Sequence, residues 1–371
     1  MVNPNLNKDD SISLWQLFAI LENSILGTGL LNIAKTVSKV SGQNAWISTL
    51  LAGLIIIPFL WCYSSLSRRF PGHTLVDYST KIVGKLLGNM ANISYISFEI
   101  LIAALVLRIM ADFISTWFLP NTPIESLLII TLFLVIYMSQ GGIRTIARTS
   151  EIILFLVAPF IILLIPPATR IEINNLKPVL QSGYVSIIKG SIPALYAFYG
   201  FEVLFIASAF ISDTKKIFRT SATCISINVV FYTLVVIAII GVMGTEILKY
   251  INYPTIYYIK SERFPFFERV DLFFAFFWTF NIFMTIGIAF YSAVLGISQL
   301  LSLKPKYGRN VGWILAIAVY FIAKTPKNSI EVTTYIQYIS YIGIAVAILM
   351  PAILAIVATI RHIDVKDGGN V

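Results

Sequence analysis

From Leu14 to Ile360 the chain is a succession of apolar runs, most of them long enough to cross a bilayer, joined by short segments that hold its basic residues. A helix needs about 20 apolar residues to span the hydrocarbon core, and lipid can satisfy no backbone N–H or C=O group. A chain of this pattern is restricted to a bundle of membrane helices. Composition agrees: 57% of the 371 residues are hydrophobic and 12% are charged, against the ~25% charged of soluble domains. The longest non-hydrophobic intervals are 68–88 and 246–271, too short for a separate soluble domain. A single transmembrane domain, 1–371, is expected. The ten polar N-terminal residues run straight into an apolar span with no small-residue cleavage site, so no cleaved leader is expected.

A window of ~19 residues gives about ten spans, at 12–34, 45–65, 89–118, 124–140, 152–167, 184–211, 218–244, 271–301, 311–323 and 332–360. The net charge of +9 is spread over the connecting segments and reads as topology rather than nucleic-acid binding. With the N-terminus cytoplasmic, fifteen Lys and Arg, from Lys8 to Lys366, fall inside. Ten fall outside: Lys35, Lys39, Arg170, Lys177, Lys249, Lys260, Arg263, Arg269, Lys324 and Lys327. Both termini are therefore expected inside. Cys62, Cys224, His73 and His362 form neither a disulfide framework nor a metal-ligand pattern, so no metal or other cofactor is expected.

Two spans contain breaks. Gly27-Thr28-Gly29 interrupts the first, and Tyr196-Ala-Phe-Tyr-Gly-Phe-Glu202 places Gly200 and a carboxylate inside the sixth. Ten spans divide as five plus five, and an odd number per half inverts one half against the other. Interrupted helices at matching places in two halves point to a transporter-type binding site. The first repeat is expected at 11–168 and the second at 184–360. A helix N-terminus opened at Gly27, Thr28 and Gly29 attracts an anionic group, and a helix C-terminus near Phe198 and Tyr199 attracts an ammonium. Together they describe a site for a zwitterionic amino acid. The plainer alternative is that these glycines only let helices pack closely.

Glu202 either caps freed backbone or pairs with Arg108, or it acts in gating or proton coupling, since desolvation favours the neutral form of a carboxyl. Tyr95 and Glu99 share a face of the third span, as do Arg108 and Asp112. Tyr95 and Glu99 are candidates for a polar pathway, Arg108–Asp112 is expected to be structural, and Glu22 has the standing of Glu99. Thr285, with Thr279, Asn281, Tyr291 and Ser292 in the eighth span, either faces the cavity or bonds to a neighbouring helix. The aromatic loop 251–267 is expected to form a short interfacial element. No nucleophile–base or metal arrangement suggests an enzyme.

The two breaks resemble the signature interruptions of amino acid–polyamine–organocation transporters. Within that superfamily the chain resembles the spore germination permeases, the B subunits of nutrient germinant receptors. The resemblance rests on Arg69-Phe-Pro-Gly-His-Thr-Leu75, Val83-Gly-Lys-Leu-Leu-Gly88, Gly142-Ile-Arg-Thr-Ile-Ala-Arg-Thr-Ser-Glu151, Asn175-Leu-Lys-Pro-Val-Leu180, Gly200-Phe-Glu202 and Glu268-Arg-Val-Asp271. It covers nearly the whole chain and implies an all-α, LeuT-like inverted-repeat fold in the spore inner membrane. It also implies an A-type membrane subunit and a C-type lipoprotein subunit as partners, with no nucleic acid. The implied ligand is a nutrient, usually an amino acid. The implied pocket uses Gly27, Thr28, Gly29, Phe198, Tyr199, Gly200 and Phe201, with side walls near Ala103, Ala104 and Thr285. Such a pocket would suit a small apolar amino acid. Some proton-coupled relatives carry a lysine in the fifth span; Ile152–Ile165 has no cation, which favours a sensor over a pump. An ordinary coupled permease and a passive ion or water pathway are the competing readings.

Overall fold

The computed structural model describes residues 11–180, 183–262 and 268–364. Expectations at Lys8, Lys366 and 263–267, including Arg263, lie outside these residues. The first crossing is split into α1 (Leu14–Ile25) and α2 (Gly29–Ser41). Ser13 starts α1 through a reciprocal pair of hydrogen bonds with Gln16, at 3.0 and 3.1 Å. A short turn, Gly42–Asn44, leads into α3 (Ala45–Arg69). As one rod, the 41 residues 29–69 would reach ~60 Å, twice the hydrocarbon thickness. Gly42 (φ 57°, ψ −137°) divides them into two limbs that pack on each other.

The chain continues through α4 (Leu75–Val83), α5 (Lys85–Trp117), α6 (Ile124–Gln140) and α7 (Gly142–Val157), which tightens into a 3-10 segment, Ala158–Leu164. The sixth crossing is α8 (Gly183–Phe198), a 3-10 turn Phe201–Val203, α9 (Leu204–Ala207) and a further turn, Ser208–Phe210. Then come α10 (Ile217–Leu248), α11 (Pro254–Lys260), α12 (Val270–Leu300) and α13 (Pro305–Ala323). The last crossing is α14 (Ser329–Gly343), a widened π segment Ile344–Leu349, and α15 (Met350–Ile360). Tyr63 Oη donates to Ala347 O within that segment at 2.9 Å.

The most extensive packing joins the third crossing to the eighth (α5 with α12) and the second to the seventh (α3 with α10). The first also packs on the fifth (α1 with α7), as the sixth does on the tenth (α8 with α14). The first two contacts join elements five crossings apart, and the first-to-fifth contact recurs five crossings on as sixth-to-tenth, as an inverted five-plus-five bundle requires.

Three expectations are revised. The first crossing runs on to Ser41. The fifth begins at Gly142, because Ile143, Ile146, Ala147 and Ser150 are buried while Arg144 and Arg148 face outward. Such an amphipathic start lowers the window hydropathy and reads as a loop. Its 117° bend from α6 makes the two helices separate passes. The polar interval 68–88 holds α4, whose start is marked by Thr74 and Asp77 three residues apart.

Thr74 also lies 2.5 Å from Gln299 Oε1 and so pins α4 to α12. Thr74→Val is expected to cost about 1–3 kcal/mol by leaving a buried acceptor unpaired, and Thr74→Ser to cost much less. Unfolding in detergent, followed by alkylation of the buried Cys224, measures the difference.

Candidate functional site

At the first break the helix stops bonding to itself, and three carbonyls find partners on other helices. Thr285 Oγ1 donates to Asn23 O at 2.7 Å, Tyr232 Oη to Ile25 O at 2.8 Å and Trp278 Nε1 to Gly27 O at 3.2 Å. These donors come from α12 and α10, so the end of α1 is anchored on both. In the first turn of α2, Leu31 N donates to Thr28 O at 3.2 Å, while the N–H groups of Gly29 and Leu30 have no acceptor in the preceding turn of their own helix. Gly29 also brings two backbones together: a Cβ there would sit 2.6 Å from Ala197 Cα. Thr28 Oγ1 and Tyr196 Oη add a 3.2 Å hydrogen bond between the two broken crossings.

At the second break, α8 ends at Phe198 and Gly200 adopts φ 125°, a conformation that disfavours a side chain. A Cβ there would meet the Ser24 carbonyl carbon at 2.6 Å. Glu202 bends back so that Oε2 accepts from Gly200 N at 2.8 Å. Its carboxylate therefore caps freed backbone and does not pair with Arg108, which bonds Asp112 at 3.0 Å in the expected structural pair. Phe198 meets Tyr232 edge-on at 5.2 Å and Tyr199 meets Phe98 at 5.6 Å. Tyr199 Oη donates to Ser340 O at 2.6 Å, and its ring lies against Gly343.

Gly27, Thr28, Gly29, Phe198, Tyr199, Gly200 and Thr285 are thus gathered around the two breaks. Phe201 turns the other way and packs edge-on against Tyr63, at 6.0 Å. Ala103 and Ala104 are fully buried in α5, between one and two turns beyond Phe98.

A second cluster lies beside Phe201. Glu99 and Glu202 are within electrostatic reach of each other, with Tyr63 and Tyr95 next to them. The rings of Tyr63 and Tyr95 both pack on Phe205, at 4.5 and 5.3 Å. Glu99 Oε1, the Tyr95 hydroxyl and Ser292 Oγ are buried without a hydrogen-bond partner. No ion pair reaches Glu22, Glu99 or Glu202 among the described residues. Unpaired carboxyl groups at this depth are characteristic of ion or proton pathways.

Glu22 has its own surroundings: Oε2 accepts from Asn228 Nδ2 at 2.8 Å, while Oε1 and Asn228 Oδ1 are unpartnered. Asn23 Nδ2 reaches Ser150 O at 2.9 Å, so the fifth crossing meets the first through a neutral amide. Tyr63, Asn228, Tyr232 and Trp278 escape sequence reasoning. Their one signal is a polar tip on an aromatic or amide side chain in the middle of an apolar run.

Two broken crossings whose freed ends meet at the centre of an inverted bundle define a membrane protein with a transporter-type fold. A solved structure of MhsT in complex with L-phenylalanine has the same fold, with a TM-score of 0.70 and 12% identity over 94% of this chain and 89% of that one. The family model described as spore germination protein matches residues 11–332, and the chain belongs to that family. Among curated relatives, spore germination protein YndE of Bacillus subtilis is 28% identical over 94% of this chain and 97% of its own length. Spore germination protein B2 of the same organism is 26% identical, over 90% and 91%.

Tyr232→Phe leaves the Ile25 carbonyl without its side-chain donor, and Trp278→Phe does the same for Gly27. Each is expected to lower stability by about 1–3 kcal/mol. The check is denaturant unfolding in detergent against the conservative surface change Tyr250→Phe, expected to be neutral.

Proposed function

We propose that this chain is the nutrient-sensing, permease-like subunit of a spore germinant receptor, binding an amino acid where the first and sixth crossings break. The observation that carries this reading is the contact between the start of α2 and the end of α8 at Gly29 and Ala197. It sets an end that attracts carboxylates beside an end that attracts ammonium groups. The L-phenylalanine of the MhsT complex supports an amino acid as the ligand class. Gly27, Thr28, Gly29, Phe198, Tyr199 and Gly200 form the pocket, with Ala103, Ala104 and Thr285 at its sides, and Phe201 backs it from the side of Tyr63. The first repeat, 11–168, and the second, 184–360, shift against each other on binding. A-type and C-type subunits read that shift in the spore inner membrane, with both termini of this chain in the cytoplasm. No catalytic step is assigned.

The cation-free carboxyl cluster of Glu99 and Glu202, with Tyr95, favours a second reading in which proton movement accompanies the shift, as in a coupled permease. Sealed vesicles under an imposed proton gradient separate the two. Saturable binding of an amino acid from a labelled panel, without uptake into the lumen, is the expected result. Gradient-driven uptake would make the protein a working permease.

Gly27→Leu is expected to weaken binding at least ten-fold, because a Cβ at Gly27 already comes within 2.8 Å of Thr285 Oγ1. Unchanged binding in this variant would remove the pocket from this place.

A further inference from the structure

On the face of the bundle opposite the N-terminus, a cavity of about 630 Å³ opens between α2, α10, α14 and the segment before α11. Its lining includes Lys35, Lys39, Lys249, Tyr250, Asn252 and Gln337. The volume is in the range of small-molecule sites. A narrow recess below it shares Lys35 and Asn252 and extends to Asn32 and Tyr253. Asn32 lies in α2 within one turn of Gly29, so the recess points toward the first break.

The charges in this cavity are not balanced. Lys249 is paired with Glu246 at 2.7 Å, and Asp112, in the recess, is paired with Arg108 at 3.0 Å. Lys35 and Lys39 have no carboxylate within ion-pair distance among the described residues. They stand four residues apart on one face of α2, where like charges repel. Lys39 is in the last turn of α2, where the helix dipole favours a cation. That explanation does not extend to Lys35, which is half-buried and whose ammonium donates only to the neutral Asn252 Oδ1, at 2.9 Å. A half-buried lysine whose ammonium has no anion, beside a second lysine in the same cavity, lacks a counter-charge.

We propose that this vestibule is a second binding site, separate from the helix breaks, and that it takes the carboxylate of a small organic acid between Lys35 and Lys39. Asn252 holds the Lys35 ammonium toward the cavity, and the amide and hydroxyl groups of Gln337 and Tyr250 offer polar contacts to the rest of the molecule. The ammonium groups act as compact point charges, so the site takes an anionic group such as a carboxylate and tolerates varied bodies. Its position above the recess makes it an antechamber on the route to the first break.

The test uses purified full-length protein in lipid nanodiscs, with trifluoroacetate as the probe and fluorine NMR as the readout. The start of α2 at the first break also attracts a carboxylate, so the lysine variants, which leave the breaks intact, are what separate the two sites. Saturable binding is expected, at least ten-fold weaker in the double variant Lys35→Gln/Lys39→Gln and retained in Lys35→Arg/Lys39→Arg, which also reports on folding. Lys260→Gln, at the end of α11, is expected to match the parent protein. Neutral trifluoroacetamide is expected to give no saturable response. The proposal is overturned if trifluoroacetate does not saturate, if the double glutamine variant binds as tightly as the parent, or if the amide binds equally well.

Discussion

The structure depends on what happens to the backbone groups released where two membrane crossings break. In lipid an unsatisfied carbonyl costs several kcal/mol, so a break survives only where side chains replace the missing helical bonds. Thr285, Tyr232 and Trp278 do this for Asn23, Ile25 and Gly27, and Glu202 does it for Gly200. Those donors come from the seventh and eighth crossings, which are held in turn by α3 and α5. The centre of the bundle and its frame therefore depend on each other. A ligand that competes for any of these groups acts on the packing of the whole molecule.

The breaks were legible because glycine and glutamate are conspicuous in an apolar run. Gly27, Gly29 and Gly200 lie where the helices stop, and the charged pair Arg108–Asp112 has the four-residue spacing that places it on one face. The groups that satisfy the breaks were not legible. A tyrosine or tryptophan in a membrane span looks the same to composition whether its polar tip is bonded or only packed. The amphipathic helix α4 and the start of α7 were missed because each carries its charges on one face, and a hydropathy window averages over faces. Glu202 had two structural alternatives in sequence, and direction decided between them: it turns back onto its own chain.

The carboxyl groups divide by surroundings. Asp112 and Asp271 sit next to arginines, at 3.0 and 3.1 Å, and belong to the scaffold. Glu22 and Glu202 have only neutral hydrogen-bond partners, and Glu99 Oε1 has none. Glu22 touches the first and seventh crossings, and the other two touch the third and sixth, so the uncompensated carboxyls lie on both sides of the broken helices.

The widened turn at Ile344–Leu349 has a mechanical meaning. A π segment contains one residue more than its length requires, and this one is tied at two points by phenolic hydroxyls. Tyr63 holds Ala347 within it, and Tyr199 holds Ser340 just before it. Tyr199 belongs to the break in the sixth crossing, so that break is tied to the tenth crossing in α14, one turn ahead of its loosest winding. Beyond the loose turn, α15 is fastened to Arg69 through Ala358 O and Thr359 Oγ1. The last crossing is thus tied to the centre of the bundle ahead of its slack turn and to α3 beyond it.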